Sequence, residues 1–180
     1  MSLTRRTLLA APALLLGTAN AQATTVNDAT GRALDIPATV NRVFPAGPPA
    51  AILLYTLAPE LLLGWPRANR AEECAFLLPA ICTRPEVGRL TGRGNTANLE
   101  SVLALKPDLI LDVGSTTPTF ASLAVRVQEQ TNIPYALLDG RFEAIPATYR
   151  LLGALTHRDA EPLAAYSEQT LSTAHIDNRA

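Results

Sequence analysis

The stretch ANLESVLALKPDLILDVG, residues 97–114, contains a short helix that leads directly into an apolar strand. Asn98 is a suitable N-cap, and apolar residues follow it at the i, i+3 and i+4 spacing of a helix. Pro107 ends this helix, because the residue before a proline is pushed out of the helical conformation. The strand core at 109–111 shows no polar alternation. This pattern predicts burial on both faces, as in a parallel sheet.

The rest of the chain repeats this alternation of helices and strands. A second buried strand is predicted at 133–139, from the apolar run in IPYALLD. The remaining predicted elements are a hairpin at 24–36, strands at 42–45 and 61–66, and helices at 49–62, 71–81, 118–131, 143–155 and 159–174. This order predicts right-handed crossovers and an open, doubly wound α/β fold with a mainly parallel sheet.

The composition suits a compact globular protein. The chain has 180 residues, 48% of them apolar, and a formal net charge of -1. That is enough apolar surface for the core of one domain, or of one domain and part of another. An aromatic content of 5% and near neutrality do not provide the basic, aromatic surface that binds nucleic acid. We therefore expect no nucleic-acid partner.

Residues 1–23 have the pattern of a cleaved signal peptide. A basic start at Arg5 and Arg6 precedes an apolar run from Leu8 to Gly17 and small residues suited to cleavage. The apolar run, about ten residues long, is too short to span a bilayer. The two arginines also resemble a twin-arginine signal, so both this route and the general secretory route stay open. We expect a periplasmic mature protein.

Two cysteines, Cys74 and Cys82, lie on one apolar segment. We expect two buried thiols, although an oxidising compartment leaves open a disulfide across a turn at Pro79. A zinc site is not expected, because neither cysteine is close in sequence to one of the two histidines, His157 and His175. The sequence therefore predicts no metal ligands.

Three loops follow the predicted parallel strands: PAGPP at 45–49, GSTTPT at 114–119 and DGR at 139–141. In open α/β sheets, ligands bind beyond the carboxyl ends of the strands. The loops provide backbone amides, hydroxyl groups and the guanidinium of Arg141. They predict a polar binding site without a set of catalytic residues.

Two glycine-rich stretches resemble nucleotide-binding motifs. GRGNTA at 92–97 matches the dinucleotide pattern, but the proline and charges before it argue against the buried strand that this motif requires. GSTTP at 114–118 lacks the lysine of a P-loop. His157 is expected to be an exposed helix cap, and no nucleophile is paired with a recognisable base. We therefore expect no enzyme activity.

A family resemblance is carried by four blocks: NDATGRALDIPATVNRVFPAGPP (27–49), NLESVLALKPDLILDVGS (98–115), TNIPYALLDG (131–140) and LLGALTHRDAEPLAAYSEQTL (151–171). Together they resemble the class III periplasmic substrate-binding proteins of ABC importers, the class that takes iron siderophores, haem and cobalamin. The resemblance implies two Rossmann-like α/β lobes joined by one long helix, with the ligand in the cleft between them.

The resemblance assigns 24–158 to the N-terminal substrate-binding lobe and 159–180 to the start of the inter-lobe helix. STAHIDNRA at 172–180 does not continue that helix recognisably, and the sequence contains no second lobe. The chain is therefore expected to be a fragment, the product of a frameshifted gene, or a single-lobe protein.

By the same resemblance, Glu100 corresponds to the acidic residue of the N-terminal lobe that docks onto arginines of the membrane permease. The ligand contacts that the resemblance implies are Gly47, Pro48, Arg89, Arg93, Ser115 and Thr116. Arginines at such a site suit anionic ligands, because the guanidinium fork pairs with carboxylates. Trp65 is expected either to stack against a flat ligand or to belong to the core.

The expected function is that of the extracytoplasmic solute-binding component of an ABC importer for iron complexes, with a siderophore or haem as cargo. We expect a monomer that has no cofactor of its own, binds a small metal chelate and presents it to an ABC permease in the inner membrane. The alternatives are a cobalamin or metal-oxyanion binding protein, a secreted α/β enzyme, and a non-functional truncated product.

Overall fold

The computed structural model describes residues 23–91 and 96–177. The predicted signal peptide, apart from its last residue, lies outside the described residues, and so do Arg93 and most of the glycine-rich stretch at 92–97. The twin-arginine signal and a ligand contact by Arg93 therefore stay predictions.

The strands of the described chain are β1 (Thr24–Asn27), β2 (Ala33–Ile36), β3 (Val43–Pro45), β4 (Leu109–Gly114) and β5 (Tyr135–Asp139). The helices are α1 (Pro48–Leu57), α2 (Ala71–Cys74), α3 (Pro79–Cys82), α4 (Leu99–Ala104), α5 (Pro118–Thr131), α6 (Ile145–Thr156) and α7 (Glu161–Asp177), with 3-10 turns at Pro59–Leu61 and Phe142–Ala144. Among these helices, none has the length and apolar character needed to cross a membrane.

The main sheet has the strand order β3-β4-β5, and its strands are parallel. The central strand is β4, in which Leu109 pairs with Val43 on one side and Ile110 pairs with Tyr135 on the other. Leu109, Ile110 and Leu111 are fully buried. The predicted α/β fold with a mainly parallel sheet is confirmed.

Each face of this sheet packs into its own hydrophobic core. Leu109 and Leu111 contribute to the core that is shared with α1, α6 and the β1–β2 hairpin. Ile110 contributes to the opposite core, where α4 and α5 supply Val102 and Val127. Successive residues of one strand therefore enter two different cores, which explains why this strand shows no polar alternation.

Local signals set the start of α4 and the ends of α5 and α6. The side chain of Asn98 accepts a hydrogen bond from the Ser101 amide at 2.8 Å and caps α4. Helices α5 and α6 end at Asn132 and His157, whose φ angles of 56° and 55° are left-handed. His157 is therefore an exposed helix cap, as predicted.

The β1–β2 hairpin is antiparallel, and its turn lies against the outer edge of β5. The Ala29 amide donates to the Leu137 carbonyl at 3.0 Å, and the Leu137 amide donates to the buried Asp28 carboxylate at 3.3 Å. Arg32 forms an ion pair with Asp28 and also donates to the Tyr135 carbonyl at 2.8 Å. The turn thus pairs backbone groups at a sheet edge that would otherwise be left unpaired.

The segment 61–66, predicted as a strand, forms only two isolated bridges. Leu62 pairs with Val43, and Trp65 pairs with Glu86, both in parallel. The segment changes its partner between these two points. The segment therefore forms no continuous strand ladder with either partner.

Helix α7 extends further than predicted. It begins at Glu161 and continues to Asp177, so it includes the whole of 172–177, which the helix predicted at 159–174 covers only in part. This segment contains neither proline nor glycine, so it lacks the residues that usually end a helix. Arg150 of α6 fixes the packing of α7, since it pairs with Glu161 and with Glu168 at 2.7 Å each.

Cys74 and Cys82 form a disulfide, the alternative that the sequence leaves open, so the expectation of two buried thiols is wrong. The helix predicted at 71–81 is broken, because α2 ends at Cys74 and a new helix begins at Pro79. In a continuous helix, residues eight apart would be separated by about 12 Å along the axis. The break brings the two Cα atoms to 5.5 Å, which is within the range of a disulfide.

Candidate functional site

The carboxyl ends of β3, β4 and β5 lie at one edge of the sheet. Pro45 pairs with Leu111 and Gly114 pairs with Asp139, so the loops after all three strands leave from this edge. The Gly140 amide donates to the Gly114 carbonyl at 2.9 Å and keeps the last two loops together. We refer to residues 46–48, 114–117 and 139–141 as the strand-end surface.

Gly47 is buried beside the segment that leads to Arg93. The Ala46 carbonyl accepts hydrogen bonds from the amides of Leu90 and Thr91 at 2.8 and 3.0 Å. A Cβ atom on Gly47 would lie 3.0 Å from Thr91 Oγ1, so glycine permits this close approach. The chain just before Arg93 is thereby held against the strand-end surface, and Arg93 itself lies outside the described residues.

The buried carboxylate of Asp112 in β4 accepts a hydrogen bond that holds Thr91 in place. Thr91 Oγ1 donates to Asp112 Oδ1 at 3.1 Å, and the Tyr135 hydroxyl donates to Asp112 Oδ2 at 3.0 Å. Burial raises the pKa of Asp112 above its ordinary value, although these hydrogen bonds oppose the change. The sequence analysis missed this positioning residue. Its only signal is one acidic side chain within the apolar strand LILDVG.

The loops after β4 and β5 border an open cavity of about 670 Å³. Its lining residues are Gly114, Ser115, Thr116, Thr117, Asp139, Gly140 and Arg141. The Ser115 hydroxyl donates to Thr117 Oγ1 at 3.1 Å and accepts from the Thr117 amide at 3.4 Å, which organises the first loop. Within residues 23–91 and 96–177, no three His, Cys, Asp or Glu side chains are grouped to hold a metal ion.

Arg141 and Asp139 form an ion pair at the rim of this cavity. The guanidinium donates to Asp139 Oδ2 at 2.6 Å, and the Arg141 amide donates to Oδ1 at 2.9 Å. These hydrogen bonds lower the pKa of Asp139 and raise the pKa of Arg141. An anionic ligand that approaches Arg141 must therefore compete with Asp139.

The predicted ligand contacts differ in their exposure. Pro48 and Ser115 are exposed and Thr116 is half-buried, all on the strand-end surface. Arg89 is half-buried, and its carbonyl accepts a hydrogen bond from the Thr96 amide at 3.1 Å, which closes the loop between them. Ligand contact by these residues stays a prediction.

Trp65 is packed into the core. Its side chain is 4% exposed, and its indole nitrogen donates to the Ile81 carbonyl at 2.8 Å. Its ring lies against Tyr55, with the ring centroids 5.8 Å apart. Stacking of Trp65 against a ligand stays a prediction.

Glu100 is exposed in the first turn of α4. A carboxylate there is favoured by the helix dipole, and its exposure also leaves it accessible to another protein. The two roles are compatible, and docking to a permease stays a prediction.

No protein-family model and no curated protein matches this chain. An ABC transporter solute binding protein from Sulfurospirillum deleyianum matches 78% of this chain and 45% of its own, with 25% identity and a TM-score of 0.66. The heme binding protein HmuT matches 87% of this chain and 46% of its own, with 20% identity and a TM-score of 0.53. The molybdate periplasmic binding protein MolA from Haemophilus influenzae matches 79% of this chain and 48% of the MolA chain, with 18% identity and a TM-score of 0.59.

The chain therefore spans less than half the length of these solved proteins. Its described part has the fold of an N-terminal lobe of the periplasmic solute-binding proteins of ABC transporters. The family resemblance predicted from the sequence is confirmed, and so is the predicted lobe architecture.

Proposed function

We propose that this chain is the N-terminal lobe of a periplasmic solute-binding protein that serves an ABC importer, and that its cargo is an iron complex with a siderophore or haem. The lobe fold shared with solute-binding proteins supports the transport role. The chemistry of the strand-end surface supports the choice of cargo.

The observation that carries this proposal is the meeting of the loops after β3, β4 and β5 at one edge of the sheet. The hydroxyl groups of Thr116 and Thr117 provide hydrogen-bond donors around one open cavity, and so does the Arg141 guanidinium once a ligand replaces its bond to Asp139. Donors of this kind suit the oxygen atoms of anionic chelates, and a guanidinium forms the stronger, charge-assisted bonds.

A cobalamin or a metal oxyanion is the alternative cargo. HmuT is a haem-binding protein and MolA binds molybdate, while both have the lobe fold found here. At 20% and 18% identity, these two proteins support the fold and leave the cargo of this chain to be determined by binding measurements.

We further propose that a second α/β lobe covers the cargo from the opposite side, because the strand-end surface is open to solvent in this lobe. The cargo is bound and released without chemical conversion. In support of this, the Ser115 hydroxyl donates to Thr117 and not to a basic group that would activate it.

Glu100 is proposed to dock the loaded protein onto the permease. Its exposed position in the first turn of α4 allows an ion pair with an arginine of the membrane protein. An exposed ion pair contributes little affinity by itself but fixes the orientation of the partners. Glu100→Lys should reduce retention of the protein on permease-containing vesicles, whereas Glu129→Lys on the exposed face of α5 should not.

The cargo proposal is tested by equilibrium dialysis of the chain against the anionic siderophore complex ferric enterobactin, haem, cyanocobalamin and molybdate. Bound iron, cobalt or molybdenum is counted by elemental analysis. We expect saturable binding of one of the two iron complexes. Preferential binding of cyanocobalamin or molybdate would replace the iron cargo by the alternative, and the absence of binding to all four would contradict the placing of a cargo site on this lobe.

A matched pair of variants locates the site. Ser115→Glu places a negative charge at the strand-end surface and should weaken binding of an anionic iron complex at least about tenfold, a change of about 1.4 kcal/mol. Ser122→Glu places the same charge on an exposed position of α5 and should leave binding unchanged. Equal effects of the two substitutions would show that the cargo binds elsewhere.

A further inference from the structure

A second pocket, distinct from the cavity between Gly114 and Arg141, lies between α1 and the segment that follows Trp65. It has a volume of about 300 Å³, at the small end of the range for ligand sites. Its apolar lining includes Ala51, Ile52, Trp65, Pro66, Phe76 and Leu77. Phe76 is 86% exposed and Ile52 is 53% exposed, so two large apolar side chains stand at its rim in water.

The polar side chains around this pocket already form hydrogen bonds within the protein. Arg67 pairs with Glu73 through two hydrogen bonds of 2.9 and 2.5 Å. The side-chain amide of Asn69 donates to the Cys82 carbonyl at 3.2 Å, and the Trp65 indole nitrogen donates to a carbonyl of α3. The pocket therefore presents apolar surface and a neutralised ion pair, a lining suited to an uncharged ligand.

The wall that carries Phe76 and Leu77 is held in place by several bonds. The Cys74–Cys82 disulfide closes the loop that contains both residues. The amide of Leu78 donates to the Tyr55 hydroxyl at 2.9 Å and attaches the middle of this loop to α1. A rim that is fixed before binding loses little entropy when a ligand arrives, which favours affinity.

We propose that this pocket binds an uncharged aromatic ring, and that the Cys74–Cys82 disulfide maintains the pocket. Aromatic side chains at the floor and rim favour a ring through offset or edge-to-face packing. The ring is either a small free ligand or an aromatic part of a larger cargo. Pro48 lines this pocket and also belongs to the strand-end surface, so one cargo can reach both.

Trp65 is the single tryptophan of the chain, and its fluorescence therefore reports directly on the floor of the pocket. We expect 4-bromobenzyl alcohol, an uncharged ring with a heavy-atom quencher, to quench this emission with a saturating dependence on concentration. The anion 4-bromobenzoate should quench less, because the pocket has no unpaired cation among its described lining residues. Quenching that rises linearly with concentration and equally for the two compounds, or the absence of quenching by either, would overturn the proposal.

Two exposed phenylalanines provide matched variants. Phe76→Ser removes a rim contact and should weaken binding of the probe about fivefold, as expected for the loss of one aromatic pair. Phe142→Ser removes a phenylalanine that is 65% exposed outside this pocket and should have no effect. If Phe76→Ser leaves the binding constant unchanged, the probe does not bind at this rim.

Reduction of the disulfide tests the proposal that the Cys74–Cys82 bond maintains the pocket. Binding should weaken in the presence of a phosphine reductant while the far-ultraviolet circular dichroism stays unchanged. The Cys74→Ser/Cys82→Ser variant should bind as weakly in the absence of reductant. Full affinity in the reduced protein would show that the disulfide does not maintain the pocket.

A final measurement separates a free ligand from part of a cargo. The cargo identified by dialysis should displace the bromobenzyl probe if its own ring occupies the pocket. Simultaneous binding of the two would assign the pocket to a separate small ligand. The probe titration is independent of the dialysis panel, so failure of the transport proposal leaves this proposal testable.

Discussion

Two buried aspartates, Asp28 in the turn of the hairpin and Asp112 in β4, have opposite electrostatic surroundings. Burial tends to raise the pKa of Asp28, but hydrogen bonds from Thr30 and from the cationic Arg32 outweigh this effect and the pKa is lowered. Asp112 is hydrogen-bonded only by uncharged groups, the hydroxyls of Tyr135 and Thr91 and the Val113 backbone, so burial prevails and its pKa is raised. Their effects on stability should therefore have opposite pH dependences.

Asp28→Asn should lower the free energy of unfolding at pH 7 by about 3 kcal/mol, because it leaves Arg32 without its charged partner. The folded pKa of Asp28 is depressed, so its contribution is present above the unfolded pKa and is lost as pH falls through the folded value. The difference between wild type and variant should therefore shrink as pH falls below about 4. Urea unfolding at several pH values measures this difference.

Asp35→Asn is the control for this measurement. Asp35 lies on the same hairpin, is exposed, and accepts a hydrogen bond from Thr25 at 3.0 Å. Its replacement should cost less than about 1 kcal/mol, as expected for an exposed interaction. A similar loss in both variants would contradict the role assigned to the buried ion pair.

Asp112 should contribute less to stability as pH rises. Its folded pKa is raised, so between the unfolded and folded pKa values the native state binds a proton that the unfolded state has lost. Asp112→Asn removes this titration. The stability of wild type minus that of the variant should therefore fall as pH rises from about 4 towards 7.

Tyr135→Phe is the companion variant, because it removes one of the hydrogen bonds that lower the pKa of Asp112. Without this hydrogen bond, the pKa of Asp112 in the folded protein should rise further. The loss of stability with rising pH should therefore continue to a higher pH than in the wild type. If the stability of the wild type minus that of Asp112→Asn instead rises with pH, the folded state favours the carboxylate form of Asp112 and the prediction is wrong.

At the scale of elements, the sequence predicts helices and strands best where one local signal acts alone. The predicted bounds of α5 are those observed, because Pro118 sets its start and an apolar face continues to its end. The sequence predicts one helix over α2 and α3, whereas Pro79 begins a separate helix. The disulfide, which the sequence leaves open as an alternative, depends on that break.

The disulfide should stabilise the fold mainly through the unfolded chain. Closing a loop of about nine residues removes chain entropy equivalent to about 2.5 kcal/mol at 25 °C. Cys74→Ser/Cys82→Ser should therefore lower the free energy of unfolding by about this amount, as measured by urea denaturation. Addition of reductant should lower the stability of wild type and leave the variant unchanged. Equal stability of wild type and variant would contradict the prediction.

At the scale of the whole molecule, strand order was enough to predict where the polar loops meet. Parallel strands with helices between them place the ends of β3, β4 and β5 at one edge, whatever the side-chain details. The bond from Thr91 to Asp112, the Arg141–Asp139 pair and the apolar pocket were not predicted. Each depends on contacts between residues distant in sequence or on the conformation of a single loop.

The central claim is that cargo binds at the strand-end surface. Its most direct test is a map of backbone amide shifts in the ¹⁵N-labelled chain, titrated with whichever of the four dialysis compounds binds, in a diamagnetic form such as a gallium-loaded chelate. The largest changes in backbone amide chemical shift should fall within 46–48, 114–117 and 139–141. Shifts concentrated instead on the β1–β2 hairpin or on the exposed face of α5, with these three segments unaffected, would contradict it.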